Sequence, residues 1–187
     1  MVGTLPDPER AAGSAFLEPG HEVALIGPFL PAVAGSELEK LRGRLADGLP
    51  PVELPAQARG LAAVREAVRS GALASAHDVS EGGLGCALAE SCAMGGVGAR
   101  VDLEGLVAAL GGDAEAALFG EGPGGVVVSG PLEAVARLAA EASGVGVRHL
   151  GVTGGEALVV EGLGATVDVS VAEARDAFTR GIPDVFS

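Results

Sequence analysis

Short apolar runs alternate with segments of helical spacing along nearly the whole chain, and glycine or proline stands at most of the junctions. The 31 glycines and 11 prolines are spread between these segments rather than gathered in a tract, so they mark turns of a folded domain and not disorder. Residues 22–27 read as a strand and 36–45 as a short helix capped by Ser36, followed by a proline-rich connection over 50–55. Leu61, Val64, Ala67 and Val68 fall at helical spacing, and Ser70-Gly71 ends that helix. Residues 71–76 read as a buried strand, and Leu84, Leu88, Ser91 and Cys92 as one helix. Residues 99–103 read as a strand and 105–110 as helical, with a further turn of helix beyond Gly111-Gly112. The run 125–129 is a strong buried-strand signal. Pro131 opens a helix with Leu132, Val135, Leu138 and Ala139 on one apolar face. Two or three more strands are expected within 145–152 and 156–169. Ser170 and Glu173 then have the spacing of a capping box for a final helix to about Thr179. Strands alternating with helices predict an α/β layered domain.

A chain of 187 residues is long enough for one domain with a sizeable core, or one domain plus an appendage. Only 3% of residues are aromatic, so base-stacking platforms are scarce. The net charge of −13 would repel a phosphate backbone, which argues against nucleic-acid binding. Residues 1–10 contain no apolar segment of the kind a secretory signal needs, and no apolar run is long enough to span a bilayer. Cys86 and Cys92 sit six apart on one predicted helix, pointing to different sides, and read as reduced core residues of a cytoplasmic protein.

Two polar loops stand out. His77-Asp78-Val79-Ser80-Glu81-Gly82-Gly83-Leu84 lies where a strand passes into a helix, a junction whose free N–H groups attract anions. Asp78 and Glu81 offer carboxylates to a divalent cation bridging to such a ligand. Equally, Asp78 or Ser80 serves as an ordinary helix cap. Phe119-Gly120-Glu121-Gly122-Pro123-Gly124-Gly125 precedes the 125–129 strand. It is suited either to wrapping a phosphate or to acting as a plain turn. No lysine or hydroxyl residue follows its glycines, so it is not a P-loop. Thr153-Gly154-Gly155-Glu156 reads as a hairpin turn. Nucleophilic catalysis has little support, because Ser80 and His77 lack a third orienting group and His21 and His149 are isolated. With Lys40 as its only lysine, the chain is poorly equipped to neutralise a triphosphate by itself.

The first loop, continued by Ala87-Leu88-Ala89-Glu90, closely resembles the C-terminal portion of the phosphoribosylformylglycinamidine synthase family. Met1-Val2-Gly3, Gly35-Ser36-Glu37, Leu118-Phe119-Gly120-Glu121 and Val167-Asp168-Val169-Ser170 agree in order. The resemblance implies a mixed sheet flanked by helices, similar to the C-terminal domain of aminoimidazole ribonucleotide synthetase. Residues 1–20 would end a preceding domain and 21–187 form the C-terminal one. It also implies part of an ATP- and magnesium-dependent ligase of de novo purine biosynthesis. That enzyme converts formylglycinamide ribonucleotide, ATP and glutamine-derived ammonia to the amidine through an iminophosphate.

The implied partners are the N-terminal remainder of the synthase, a glutaminase and a small accessory subunit. The family's catalytic segments are absent here, so no catalytic residue is expected and the chain alone should be inactive. The resemblance implies two tandem repeats, each with an N-terminal ATP-associated half and a C-terminal flanking half, of which this chain is the last flanking half. By analogy with the first repeat, Asp78 is the candidate metal contact. His77, Ser80, Gly82, Gly83, Glu121, Gly122, Pro123 and Gly124 are the candidate phosphate or nucleotide contacts. Gly122 and Gly125 stand where serine and arginine are common, a departure that favours a structural role for the second loop. The alternatives are a non-catalytic docking domain of a split enzyme, and another member of the ATP-binding superfamily such as a thiamine monophosphate kinase or a hydrogenase maturation protein.

Overall fold

The apolar run after His21 becomes β1 (Glu22–Ile26), an interior strand of a seven-stranded sheet in a computed structural model that describes residues 7–44, 48 and 51–181. Met1-Val2-Gly3 and the opening Pro50 of the proline-rich connection lie outside the described residues, while the helix expected to run to Leu45 already ends at Leu41, before Gly43 with its positive φ. β1 is flanked by β4 (Val126–Gly130) and β5 (Val147–Thr153), and β2 (Ser75–Asp78) closes one edge against β4. Beyond β5 come β3 (Ala99–Asp102), β6 (Ala157–Glu161) and β7 (Val167–Ser170). All pairs are antiparallel except β3 with β6, so the sheet is mixed.

Two apolar layers hold the sheet. On one face Val23, Leu25, Val127, Val101, Leu158 and Val160 pack with Leu84 and Leu88 of α3 (Gly83–Gly95). On the other, Ala24, Ile26, Val126 and Val128 meet Val64 of α2 (Leu54–Arg69) and Val135 and Leu138 of α6 (Leu132–Glu141). Coverage on both faces explains why residues 23–26 of β1 and 126–128 of β4 are continuously apolar. By contrast β3 exposes Arg100 and Asp102, having one covered face. Complete burial of a Leu or Val side chain contributes roughly 1.5–3 kcal/mol, so the α3–sheet layer dominates the stability.

Local signals fix the helix ends. The Ser36 side chain accepts from the Glu39 N–H at the start of α1 (Glu37–Leu41), and Asp113 does the same for Ala116 at α5 (Ala114–Phe119). Ser170 and Glu173 form the full capping box that opens α7 (Val171–Arg180). α4 (Glu104–Ala109) supplies the remaining helix.

Four further expectations need correction. The strand expected at 71–76 begins at Ser75, because its register against β4 runs from Ser75↔Ser129 to Asp78↔Val126. His77 and Asp78 are therefore strand residues. α2 starts at Leu54, with Pro55 accommodated in its first turn, where a missing N–H costs nothing. Leu132 and Ala139 face outward on α6, whose buried side is Ala134, Val135 and Leu138. Residues 153–156 do not make a hairpin, since β5 and β6 both pair with β3, which lies between them.

The cysteines are unbridged, with Cys92 buried and Cys86 half-buried. Burial pushes the Cys92 thiol up to about 12, and burial followed by the charges of Glu90 and Glu121 raises that of Cys86. Because the thiolate is the reactive form, titration of the native protein with a disulfide reagent at pH 8 should label Cys86 slowly and leave Cys92 until denaturant is added. Fast labelling of both would contradict this packing.

Candidate functional site

The end of β2, the start of α3 and residues 120–125 meet at one corner of the sheet, joined by segment 28–37. Glu121 is the hub. One oxygen of its carboxylate, Oε1, accepts from the Gly82 N–H at 2.9 Å and from the Glu37 N–H at 2.8 Å. Its backbone pairs in both directions with Ala32, at 3.0 and 2.9 Å. A single residue thus ties the first turns of α3 and α1 to the second loop. The arrangement suits the chemistry, since a carboxylate is favoured where helix N–H groups lack intrahelical partners.

Neither Asp78 nor Ser80 caps α3. The cap position is Gly82, in a left-handed conformation with no side-chain cap bond. Ser80 Oγ instead donates to Asp78 Oδ2 at 2.9 Å. His77 Nε2 lies 3.0 Å from Glu90 Oε2, and its Nδ1 is 2.8 Å from the Asp78 carbonyl. Serine, aspartate, histidine and glutamate form a row along the β2 edge, yet His77 does not contact the Ser80 hydroxyl, so no nucleophile is activated. His21 and His149 pair with Glu18 and Glu22 respectively, away from both loops.

The second loop is held by backbone contacts. Val79 N–H donates to the Gly125 carbonyl at 2.8 Å and Gln57 Nε2 to the Pro123 carbonyl at 3.1 Å. Gly124 has φ +88°, and a Cβ there would stand 1.9 Å from Gln57 Oε1. Gly122 lies close over Leu30 and Pro31. Beside the loops, Arg42 grips Glu115 with two bonds of 2.7 Å, linking α1 to α5. This contact holds the Glu115 carboxyl below the usual carboxylate range.

The two loops expected to cooperate are therefore adjacent: Gly82 and Glu121 touch directly, and Gly83 packs against the Phe119 and Gly120 backbone. Ala32, Glu37 and Gln57 belong to the same corner and had no signal in the sequence, because Glu37 and Gln57 reach it across 84 and 66 residues. Gly35-Ser36-Glu37 had drawn attention only as a matching segment and a cap. Among the described residues no group of three His, Cys, Asp or Glu side chains converges to hold a metal ion. The Asp78 side chain is 78% exposed and already accepts the Ser80 hydroxyl. The described residues therefore do not fit a self-contained magnesium site. Lys40, the only lysine, pairs with Glu37 at 3.2 Å. No helix among the described residues is long and apolar enough to cross a membrane.

The family model described as AIR synthase related protein, C-terminal domain, matches residues 18–164. Curated relatives include the phosphoribosylformylglycinamidine synthase subunit PurL of Anaeromyxobacter sp., 40% identical over 193 residues, covering 99% of this chain and 25% of that protein. The subunit of the same name from Thermomicrobium roseum is 41% identical, covering 97% and 25%. This chain spans about a quarter of the length of the curated relatives it matches. Among solved structures, T. maritima PurL complexed with FGAR superposes with a TM-score of 0.72 at 19% identity, covering 90% of this chain and 30% of that one. The E. coli hydrogenase maturation protein HypE superposes with a TM-score of 0.54 at 17% identity, covering 86% and 52%. At such identities these superpositions establish the mixed α/β fold.

Proposed function

Because the chain belongs to the family of AIR synthase related protein C-terminal domains, we propose that it is the C-terminal part of a phosphoribosylformylglycinamidine synthase. The observation that carries this reading is identity of about 40% over almost the entire chain to PurL subunits four times its length. Only the fold is shared with HypE, so sequence favours the synthase over the hydrogenase maturation function. Residues 1–20 then end a preceding domain, and 21–187 form the flanking half of the last repeat.

In this reading the chain acts with the N-terminal remainder of the synthase, a glutaminase and a small accessory subunit, in the cytoplasm. T. maritima PurL has been solved with ATP, ADP and AMPPCP, and ATP binding by the whole enzyme is part of the proposal. Magnesium would neutralise the nucleotide phosphates there. The charge balance and Lys40's engagement with Glu37 support placing the phosphate-neutralising groups in the remainder. Asp78, exposed at the strand end, is positioned to lend one oxygen to a cation held mainly from outside. His77, Ser80, Gly82, Gly83 and Glu121 to Gly124 then form a rigid wall of the pocket. Glu121 holds that wall together by filling the helix N-terminus with a carboxylate.

The test replaces the last quarter of T. roseum PurL with this chain and assays amidine formation from formylglycinamide ribonucleotide, ATP and ammonia. The chimera should turn over and the purified chain alone should not. A folded but inactive chimera would defeat the assignment, and turnover by the isolated chain would defeat its dependence on the remainder.

A further inference from the structure

Arg148 is a half-buried cation on β5 that makes no ion pair or hydrogen bond among the described residues. Other arginines of this acidic chain are engaged: Arg10 with Asp7, Arg42 with Glu115, Arg65 and Arg69 with Glu66, and Arg100 with Glu161. With 25 acidic residues against 12 basic ones, a partly desolvated guanidinium without a carboxylate is conspicuous, because removing charge from water is unfavourable unless something compensates. Arg148 stands opposite the buried Leu25 in the β1–β5 pairing and so points to the same side of the sheet. There it borders a cleft of about 250 Å³, walled by Phe29 and Leu106 and floored by Gly27 and Gly146. The floor is closed by the Gly27 N–H donating to the Gly146 carbonyl at 2.8 Å. Nη1 of Arg148 lies against Gly105, where a Cβ would stand 2.9 Å from it and would displace the guanidinium.

We propose that this cleft is an oxyanion site, in which Arg148 takes the phosphate group of a small phosphorylated compound. The planar fork of arginine matches a phosphate through two parallel N–H bonds. The site uses residues outside both polar loops and does not depend on the synthase reading.

Binding of inorganic phosphate and of ribose 5-phosphate to the full chain is measured by calorimetry at constant ionic strength, with chloride as the reference anion. Both should bind saturably, and Arg148→Gln should weaken both by about tenfold to a hundredfold. Arg59→Gln and Arg137→Gln, at exposed arginines, should leave binding unchanged. In the 15N-labelled wild-type protein the Arg148 Nε–H resonance should shift saturably with phosphate, a readout that holds even if Arg148→Gln fails to fold. Absence of saturable binding, a folded Arg148→Gln variant that binds like wild type, or an equal loss on Arg59→Gln would each overturn the site.

Discussion

Replacing Glu121 by alanine should lower the free energy of unfolding by about 2–4 kcal/mol, and Glu121→Gln by about half as much, read from urea denaturation at neutral pH. Hydrogen bonds to a charged acceptor contribute roughly 1.5–3 kcal/mol each. Glu121 makes two such bonds, at 2.9 and 2.8 Å, to N–H groups of separate segments. Its partial exposure brings the sum down, while the two donors left without a partner push it up. Glutamine keeps an acceptor at nearly the same place but removes the charge that complements the α3 N-terminus. Arg42→Ala removes a shorter contact, yet that pair is exposed and screened, so its loss should be the smaller one. A loss below about 0.5 kcal/mol for Glu121→Ala would reduce the carboxylate to a surface group. The α3–sheet interface would then hold without it.

The features legible in the sequence were those written in consecutive residues. Ser36 and the Ser170–Glu173 box marked helix starts because a cap and its target lie three residues apart. The β4 run stood out because both of its faces are covered. What escaped was set by distant partners. β2 begins at Ser75 because β4 dictates the register, and the alanine-rich run before it has no β-branched residue to extend the strand. Thr153 to Glu156 has the composition of a hairpin turn, but β3 inserts between the strands it joins. The Gly98 and Gly154–Gly155 backbones bond across that insertion. At the functional corner both loops were visible as polar, glycine-rich segments, whereas their bond through Glu121 was not. No local pattern distinguishes a glutamate that caps its own helix from one that caps a helix 39 residues away.

The same corner gives the sharpest contrast between two neighbouring glycines. Gly82 and Gly83 both have positive φ, +81° and +72°, so alanine at either position carries the left-handed penalty of roughly 1 kcal/mol. Their surroundings differ. A Cβ on Gly83 would stand 2.6 Å from the Gly120 carbonyl oxygen, 2.8 Å from the Phe119 carbonyl carbon and 3.0 Å from the Leu118 carbonyl oxygen. All three are backbone atoms at the end of α5, and only separation of α3 from that segment would relieve them. A Cβ on Gly82 would meet Cys86, 2.4 Å from its sulfur. Gly83→Ala should therefore cost more than 3 kcal/mol, a large part of a total stability of about 5–15 kcal/mol, and Gly82→Ala about 1–3 kcal/mol. Adding Cys86→Ala should recover part of the Gly82→Ala loss and none of the Gly83→Ala loss, a double-mutant comparison that separates side-chain crowding from backbone crowding. Equal costs for the two single variants, with no recovery on adding Cys86→Ala, would mean that backbone strain alone sets the requirement for glycine, and that the close approach of α3 to residues 118–120 contributes nothing.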